Sequence, residues 1–256
     1  DGFGRPVSPA GLTRARDETF MTNKIVLVDH HHEPPDNLVS TLLSDRGFAL
    51  EWQRPFAGDT LEPPDTDMAG VVVLGGAPNI DQMDQFEFLH DEALWVEQCL
   101  KQEVPVLGLC LGGQLLAHVL GAAVTPHPEG LEEFGLYPIH PVGPGPAFVP
   151  ENFHVVQFHS RGFDIPDGAT ALAGGELFPN QAFGYGTRAV GLQFHPECTL
   201  TILRRWQALD NLPWHNPGAQ SIDRQNQLAE QHLAAVASWF EEFLDGFFGS
   251  PVTPSF

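Results

Sequence analysis

Cys110 lies at the junction of two unlike stretches. Val104-Pro105-Val106-Leu107-Gly108-Leu109 is a short apolar run that reads as a buried strand, and Leu111 to Leu120, closed by Gly121, has the apolar repeat of a helix. Glycines stand two residues before the cysteine and two after it, at Gly108 and Gly112. This Gly-x-Cys-x-Gly spacing is the cysteine counterpart of the serine nucleophile elbow, in which a sharp strand-to-helix turn leaves no room for nearby Cβ atoms. Backbone N–H groups and the dipole at the helix start would favour the thiolate. The plainer alternative is a buried, inert cysteine, and a base is needed to decide between them.

A base is available downstream in Val190-Gly191-Leu192-Gln193-Phe194-His195-Pro196-Glu197. If the strand continues in extended form through Pro196, His195 and Glu197 project to the same side. Glu197 can then hold one imidazole nitrogen while the other faces the cysteine, the arrangement of a catalytic triad.

Gly-Leu-Cys-Leu-Gly-Gly-Gln at 108–114 with Gln-Phe-His-Pro-Glu at 193–197 resembles the class I, triad-type glutamine amidotransferases, over about Lys24 to Leu203. Leu-Phe-Pro-Asn-Gln-Ala-Phe at 177–183 makes the chain similar to stand-alone domains like the glutaminase part of GMP synthase. The resemblance implies a flavodoxin-like amidotransferase fold, with Cys110, His195 and Glu197 as the triad and the N–H groups of Gly76 and Leu111 as the oxyanion hole. It also implies Gln114 as a substrate contact, and backbone around His159, Ser160 and Arg161 holding the amino-acid end of glutamine. Two departures from the family pattern stand out. Ala77 occupies the place of a usual proline in Gly75-Gly76-Ala77-Pro78, and His159-Ser160-Arg161 replaces the His-Gly-Asp of near relatives. An arginine in place of an acid could change which α-substituent is accepted. His159 itself reads as structural.

The elements that must position these residues follow in chain order. Residues 1–20 are polar and without periodicity, Met21 resembles a natural start, and the expectation is a tail or remnant at 1–20 and one domain over 21–256. Lys24 to Val28 is the first buried strand and ends in Asp29-His30-His31-His32, read as a solvated loop. Consecutive histidines point in alternating directions and no second ligand cluster accompanies them, so no metal site is expected. Helices are predicted over Asn37–Arg46 and Phe86–Gln102, and strands over Ala49–Arg54 and Met68–Leu74. This alternation predicts an α/β fold with a doubly wound, mostly parallel but mixed open sheet, helices on both faces, and its site at the strands' carboxyl ends. After Gly121 the chain is more β-rich: strands are expected at Glu133–Ile139 and near Phe153–Ser160, and a loop at Pro141–Pro150. A helix near Leu200–Leu209 and a long amphipathic helix with Leu228, Leu233, Val236, Phe240, Leu244 and Phe247 on one face close the pattern.

Composition bounds the partners. With 256 residues, 42% of them hydrophobic, the chain can bury a full core. No run of about 18 apolar residues suggests a membrane span. A net charge of −21 with only Lys24 and Lys101 as lysines argues against nucleic acid. Cys99, Cys110 and Cys198 form no disulfide framework and suit a reducing, cytoplasmic setting. A zinc site of Cys110, His195 and Cys198 is rejected because the Pro-Cys-x-x-Cys run that accompanies His-x-Glu in zinc deaminases is missing. No phosphate-binding Gly-x-x-x-x-Gly-Lys loop occurs either. No cofactor is expected. The expected substrate is glutamine or a γ-glutamyl compound, with a separate synthase subunit as a possible receiver of ammonia. The alternatives left open are a self-sufficient γ-glutamyl amide or peptide hydrolase and a non-catalytic regulatory or scaffold protein.

Overall fold

A computed structural model describes residues 23–32, 36–65 and 67–249. The tail expected at 1–20 and the start at Met21 lie outside the described residues.

The first half alternates strand and helix: β1 (Lys24–Val28), α1 (Leu38–Asp45), β2 (Ala49–Gln53), β3 (Met68–Val73), α2 (Glu87–Lys101), β4 (Val106–Leu109) and α3 (Leu111–Val119). The second half runs β5 (Val124–Pro126), β6 (Glu133–Pro141), β7 (Phe153–His159), β8 (Arg161–Phe163), β9 (Thr170–Gly175), β10 (Ala182–Tyr185) and β11 (Ala189–Leu192). It closes with α4 (Leu200–Gln207) and α5 (Ile222–Phe248). Helix starts follow from side chains that satisfy orphan N–H groups: Asn37 accepts from Ser40 N at 2.9 Å, Thr199 from Ile202 N at 3.3 Å, and Ser221 from Arg224 N at 3.3 Å.

Among the described residues a nine-stranded sheet has the order β2-β1-β3-β4-β11-β10-β9-β6-β7, beside a two-stranded β5-β8 ribbon. The sheet is mixed, as expected. β2, β1, β3, β4 and β11 pair in parallel, while β11, β10, β9, β6 and β7 pair antiparallel. Strands β8, β9 and β10 were not legible as strands in the sequence; they are three to six residues long and rich in alanine and glycine.

Parallel strands buried on both faces need apolar residues at every position, and β1, β3 and β4 supply them. Ile25, Leu27, Val72, Leu107 and Leu109 face α1 and α5, packing with Val39, Leu43, Val236, Phe240 and Leu244. Val26, Val28, Val71, Val73 and Val106 face the other side, against Leu89, Val96 and Cys99 of α2 and Leu111 and Leu115 of α3. A third cluster joins Leu136 and Val156 to Ile202, Leu203 and Trp206 of α4 and Leu228 of α5. The carboxyl ends of the neighbouring strands β1, β3, β4 and β11 therefore come together, leading into His30, Gly75-Gly76, Cys110 and His195.

Candidate active site

Cys110 is the N-cap of α3, with φ 51° and ψ −105°. A non-glycine residue at positive φ is strained and persists where its surroundings over-determine it. The surroundings here are three glycines. A Cβ on Gly112 would lie 2.0 Å from the Val73 carbonyl oxygen, one on Gly108 2.3 Å from that of Gly112, and one on Gly113 2.5 Å from that of Leu192. Cys110 N donates to Leu192 O at 2.8 Å, tying the turn to β11. The sulfur lies 3.9 Å from the Phe158 carbonyl and 3.9 Å from Gln193 Nε2, which donates to it.

His195, three residues past the end of β11, faces this sulfur. The strand ends at Leu192 rather than running through Pro196, so the expected extended geometry is replaced by a turn in which Cys198 N donates to His195 O at 3.3 Å. The side chains meet nonetheless: His195 Nδ1 and Glu197 Oε1 are 2.8 Å apart, with both side chains less than a tenth exposed. His195 N donates to Val156 O at 2.9 Å, and the Trp206 ring meets the imidazole edge-on with centroids 4.9 Å apart. The buried Nε2 has no hydrogen-bond partner among the described residues. Burial works against a charged imidazole, but the charges of Cys110 and Glu197 outweigh it and raise the His195 pKa to about 10. The geometry can thus support a thiolate–imidazolium pair oriented by a carboxylate.

A cleft of about 390 Å³ opens over these residues, lined by Cys110, Leu111, His195 and Gly76 and also by Gln114, His159 and Ser160. Gly75 lies against both partners: a Cβ there would meet His195 Cε1 at 2.7 Å and Cys110 Cβ at 3.5 Å. Among the described residues no group of three or more His, Cys, Asp or Glu is arranged to hold a metal ion. The family model for class-I glutamine amidotransferases matches residues 27–205, through both the elbow and the His195 turn. The chain belongs to the class-I glutamine amidotransferase family.

Relatives within this family agree. The glutamine amidotransferase-like protein YfeJ of Salmonella typhimurium is 30% identical over 207 residues, covering 76% of this chain and 81% of that protein. The GMP synthase of Thermomicrobium roseum is 34% identical over 154 residues, which are 56% of this chain but only 27% of the synthase. A solved glutamine amidotransferase from Thermotoga maritima superposes with a TM-score of 0.79 at 29% identity, covering 89% of this chain and 98% of that one.

The remaining residues that the resemblance implies divide. Gln114 borders the cleft, but its Nε2 donates to Arg161 O at 3.0 Å and to Gln193 Oε1 at 3.3 Å, so its amide N–H groups hold the β7–β8 turn and the elbow's neighbour. Arg161 does not line the cleft. Its guanidinium bonds to Ser160 Oγ at 2.9 Å and pairs with Asp81 at 3.2 Å. His159 is buried and fully engaged, through Nδ1 with Arg161 O at 2.8 Å and through Nε2 with Glu133 at 2.9 Å and Gln157 at 3.1 Å. Cys198 Sγ donates to Thr199 O at 3.5 Å.

Three further residues stand at or beside the cleft. Gln193 contacts the sulfur across 83 positions of sequence, a separation over which neither motif carries a signal. Glu132 lines the cleft. The histidine run after β1 is not a solvated loop throughout: His31 and His32 are accessible, but His30 is buried and bonds to Gly75 O at 3.1 Å and Glu92 at 2.9 Å. A signal was available in α2, where Glu92 falls on the apolar stripe of Leu89, Val96 and Cys99.

Proposed function

We propose that the protein is a cysteine amidohydrolase that takes the γ-carboxamide nitrogen from glutamine. Cys110, deprotonated by His195, attacks the amide carbon, and the N–H groups of Gly76 and Leu111 receive the developing oxyanion. His195 then protonates the nitrogen, the C–N bond breaks, and ammonia leaves a γ-glutamyl thioester. Water deprotonated by His195 attacks the thioester, releasing glutamate and returning the proton to the sulfur. Glu197 orients the imidazole and stabilises its cationic form. The observation that carries this reading is the convergence on one cleft of the strained Cys110 and a buried His195 whose Nδ1 is held by Glu197 at 2.8 Å while its Nε2 has no hydrogen-bond partner among the described residues.

The Thermomicrobium relative, a glutamine-hydrolysing GMP synthase, supports delivery of the ammonia to a synthase. We read residues 21–256 as one amidotransferase-like domain that works with a separate synthase subunit. Cys99 and Cys110, buried and outside any disulfide among the described residues, suit a reducing, cytoplasmic setting.

The cleft also favours a second reading, a self-sufficient hydrolase of γ-glutamyl amides or peptides. No lysine or arginine is among its lining residues, and Pro78, Phe158, Trp206 and Leu209 give it an apolar wall on which a γ-amide substituent could rest.

Intact-mass analysis after exposure to a diazo-ketone glutamine analogue, with ammonia release from glutamine and from γ-glutamyl conjugates followed in parallel, tests these readings. Labelling that disappears in Cys110→Ala, together with ammonia from glutamine, is the expected result. Labelling with turnover of conjugates alone selects the second reading. A parent protein that neither labels nor turns over either substrate points instead to a regulatory or scaffold role.

A further inference from the structure

His30 and Glu92 form an ionisable pair sunk beneath the cleft, each side chain 1% exposed. The mechanism above does not use them. A buried ion pair contributes little net stability, because desolvating two charges offsets their attraction. Glu92 Oε1, moreover, has no hydrogen-bond partner among the described residues. A pair that is costly to bury and only partly satisfied suggests a role in placement.

The hydrogen-bond chemistry shows what is placed. The Gly75 carbonyl only accepts, so His30 Nδ1 must carry a proton to make its 3.1 Å bond. Nε2 faces the Glu92 carboxylate at 2.9 Å, so that contact also needs a proton. Burial disfavours a charged ring, but the bond to Glu92, its charge and the Gly75 carbonyl together hold the proton affinity of His30 above its ordinary value. Gly75 O belongs to the same peptide unit as Gly76 N–H, and in a trans peptide these two groups point in opposite directions. Gly76 also packs on this histidine: a Cβ there would lie 2.7 Å from His30 Cβ and 2.7 Å from Leu111 Cδ2.

We propose that His30, braced by Glu92, is a positioning residue that pins the Gly75 carbonyl away from the cleft and thereby aims the Gly76 N–H at the reacting carbonyl oxygen. The inference rests on the amidohydrolase reading for its catalytic consequence, but not for its geometry. The loop departs from the family pattern at Ala77, and the pair supplies an anchor for it from below.

The test compares His30→Leu, which removes the donor, with His30→Asn, whose amide nitrogen can occupy the place of Nδ1. In folded protein His30→Leu is expected to lower kcat for glutamine about 10²-fold, the scale of losing one oxyanion donor, while KM stays within about threefold. His30→Asn should recover at least about tenfold of that loss. Equal kcat in the two variants, or a loss confined to KM, overturns the proposal. A crystal structure of His30→Leu provides a readout independent of activity. A rotated Gly75–Gly76 peptide is expected, and an unrotated one defeats the proposal. If the parent protein releases no ammonia from glutamine, the functional reading fails while the peptide orientation still decides this one.

Discussion

His195, at the end of the parallel half of the sheet, and His159, at the end of β7 in the antiparallel half, are built from the same parts and do different things. Each is buried and each holds a glutamate, at 2.8 Å from Glu197 and 2.9 Å from Glu133 respectively. The difference lies in the other nitrogen. His159 spends it on Arg161 O at 2.8 Å, so the ring is a brace between β6, β7 and the β7–β8 turn. His195 keeps Nε2 without a hydrogen-bond partner among the described residues, facing Cys110. A histidine can serve as a base only where one ring nitrogen remains free for the reacting proton. His30, whose two nitrogens are both engaged, falls on the His159 side of that division although it lies next to the cleft.

The sharpest way to break the contrast is at the sulfur. Cys110→Ala should reduce ammonia release by at least about 10⁴-fold and abolish labelling by the diazo-ketone; retained turnover would sink the nucleophile assignment. Glu197→Gln should cost about 10²-fold or more in kcat, because the amide no longer fixes the tautomer or supports the imidazolium. Glu133→Ala should behave in the opposite way. Leaving His159 and Gln181 without their buried acceptor should lower stability by about 3 kcal/mol, read by denaturant unfolding, while the rate of Cys110 labelling changes less than about tenfold. A larger loss of labelling rate than of stability would dissolve the distinction between the two histidines.

The smallest effect concerns pH. The folded-state pKa of His195 is raised from 6.5 to about 10, so between these values the imidazole is more fully protonated in the native protein than in the unfolded chain. Its contribution to stability is fully present below 6.5 and is lost as pH rises towards about 10. Because the Cys110 charge is the largest influence raising that pKa, Cys110→Ala should show a shallower fall in Tm across the same window. Identical pH profiles for parent and variant would count against the thiolate–imidazolium pair.

What could be read from the sequence was what depends on local spacing. Gly108 and Gly112 flank Cys110 because a strand-to-helix turn brings backbone within about 2 Å of where a Cβ would be, and that steric demand is written within five consecutive residues. His195 and Glu197 are two positions apart, so their contact survived even though the strand ends at Leu192 and a turn takes its place. The apolar runs of β1, β3 and β4 announce burial on both faces in the same way. Tertiary structure decided which histidine is free and which is spent. His30 meets Glu92 across 62 positions of sequence and His159 meets Glu133 across 26, on elements brought together only by the tertiary fold. It also turned Arg161 towards Asp81, 80 positions away, and committed the Gln114 amide to Arg161 and Gln193. Hydrogen-bond partners over such separations are selected by strand order and helix packing, to which residue type and local periodicity are blind.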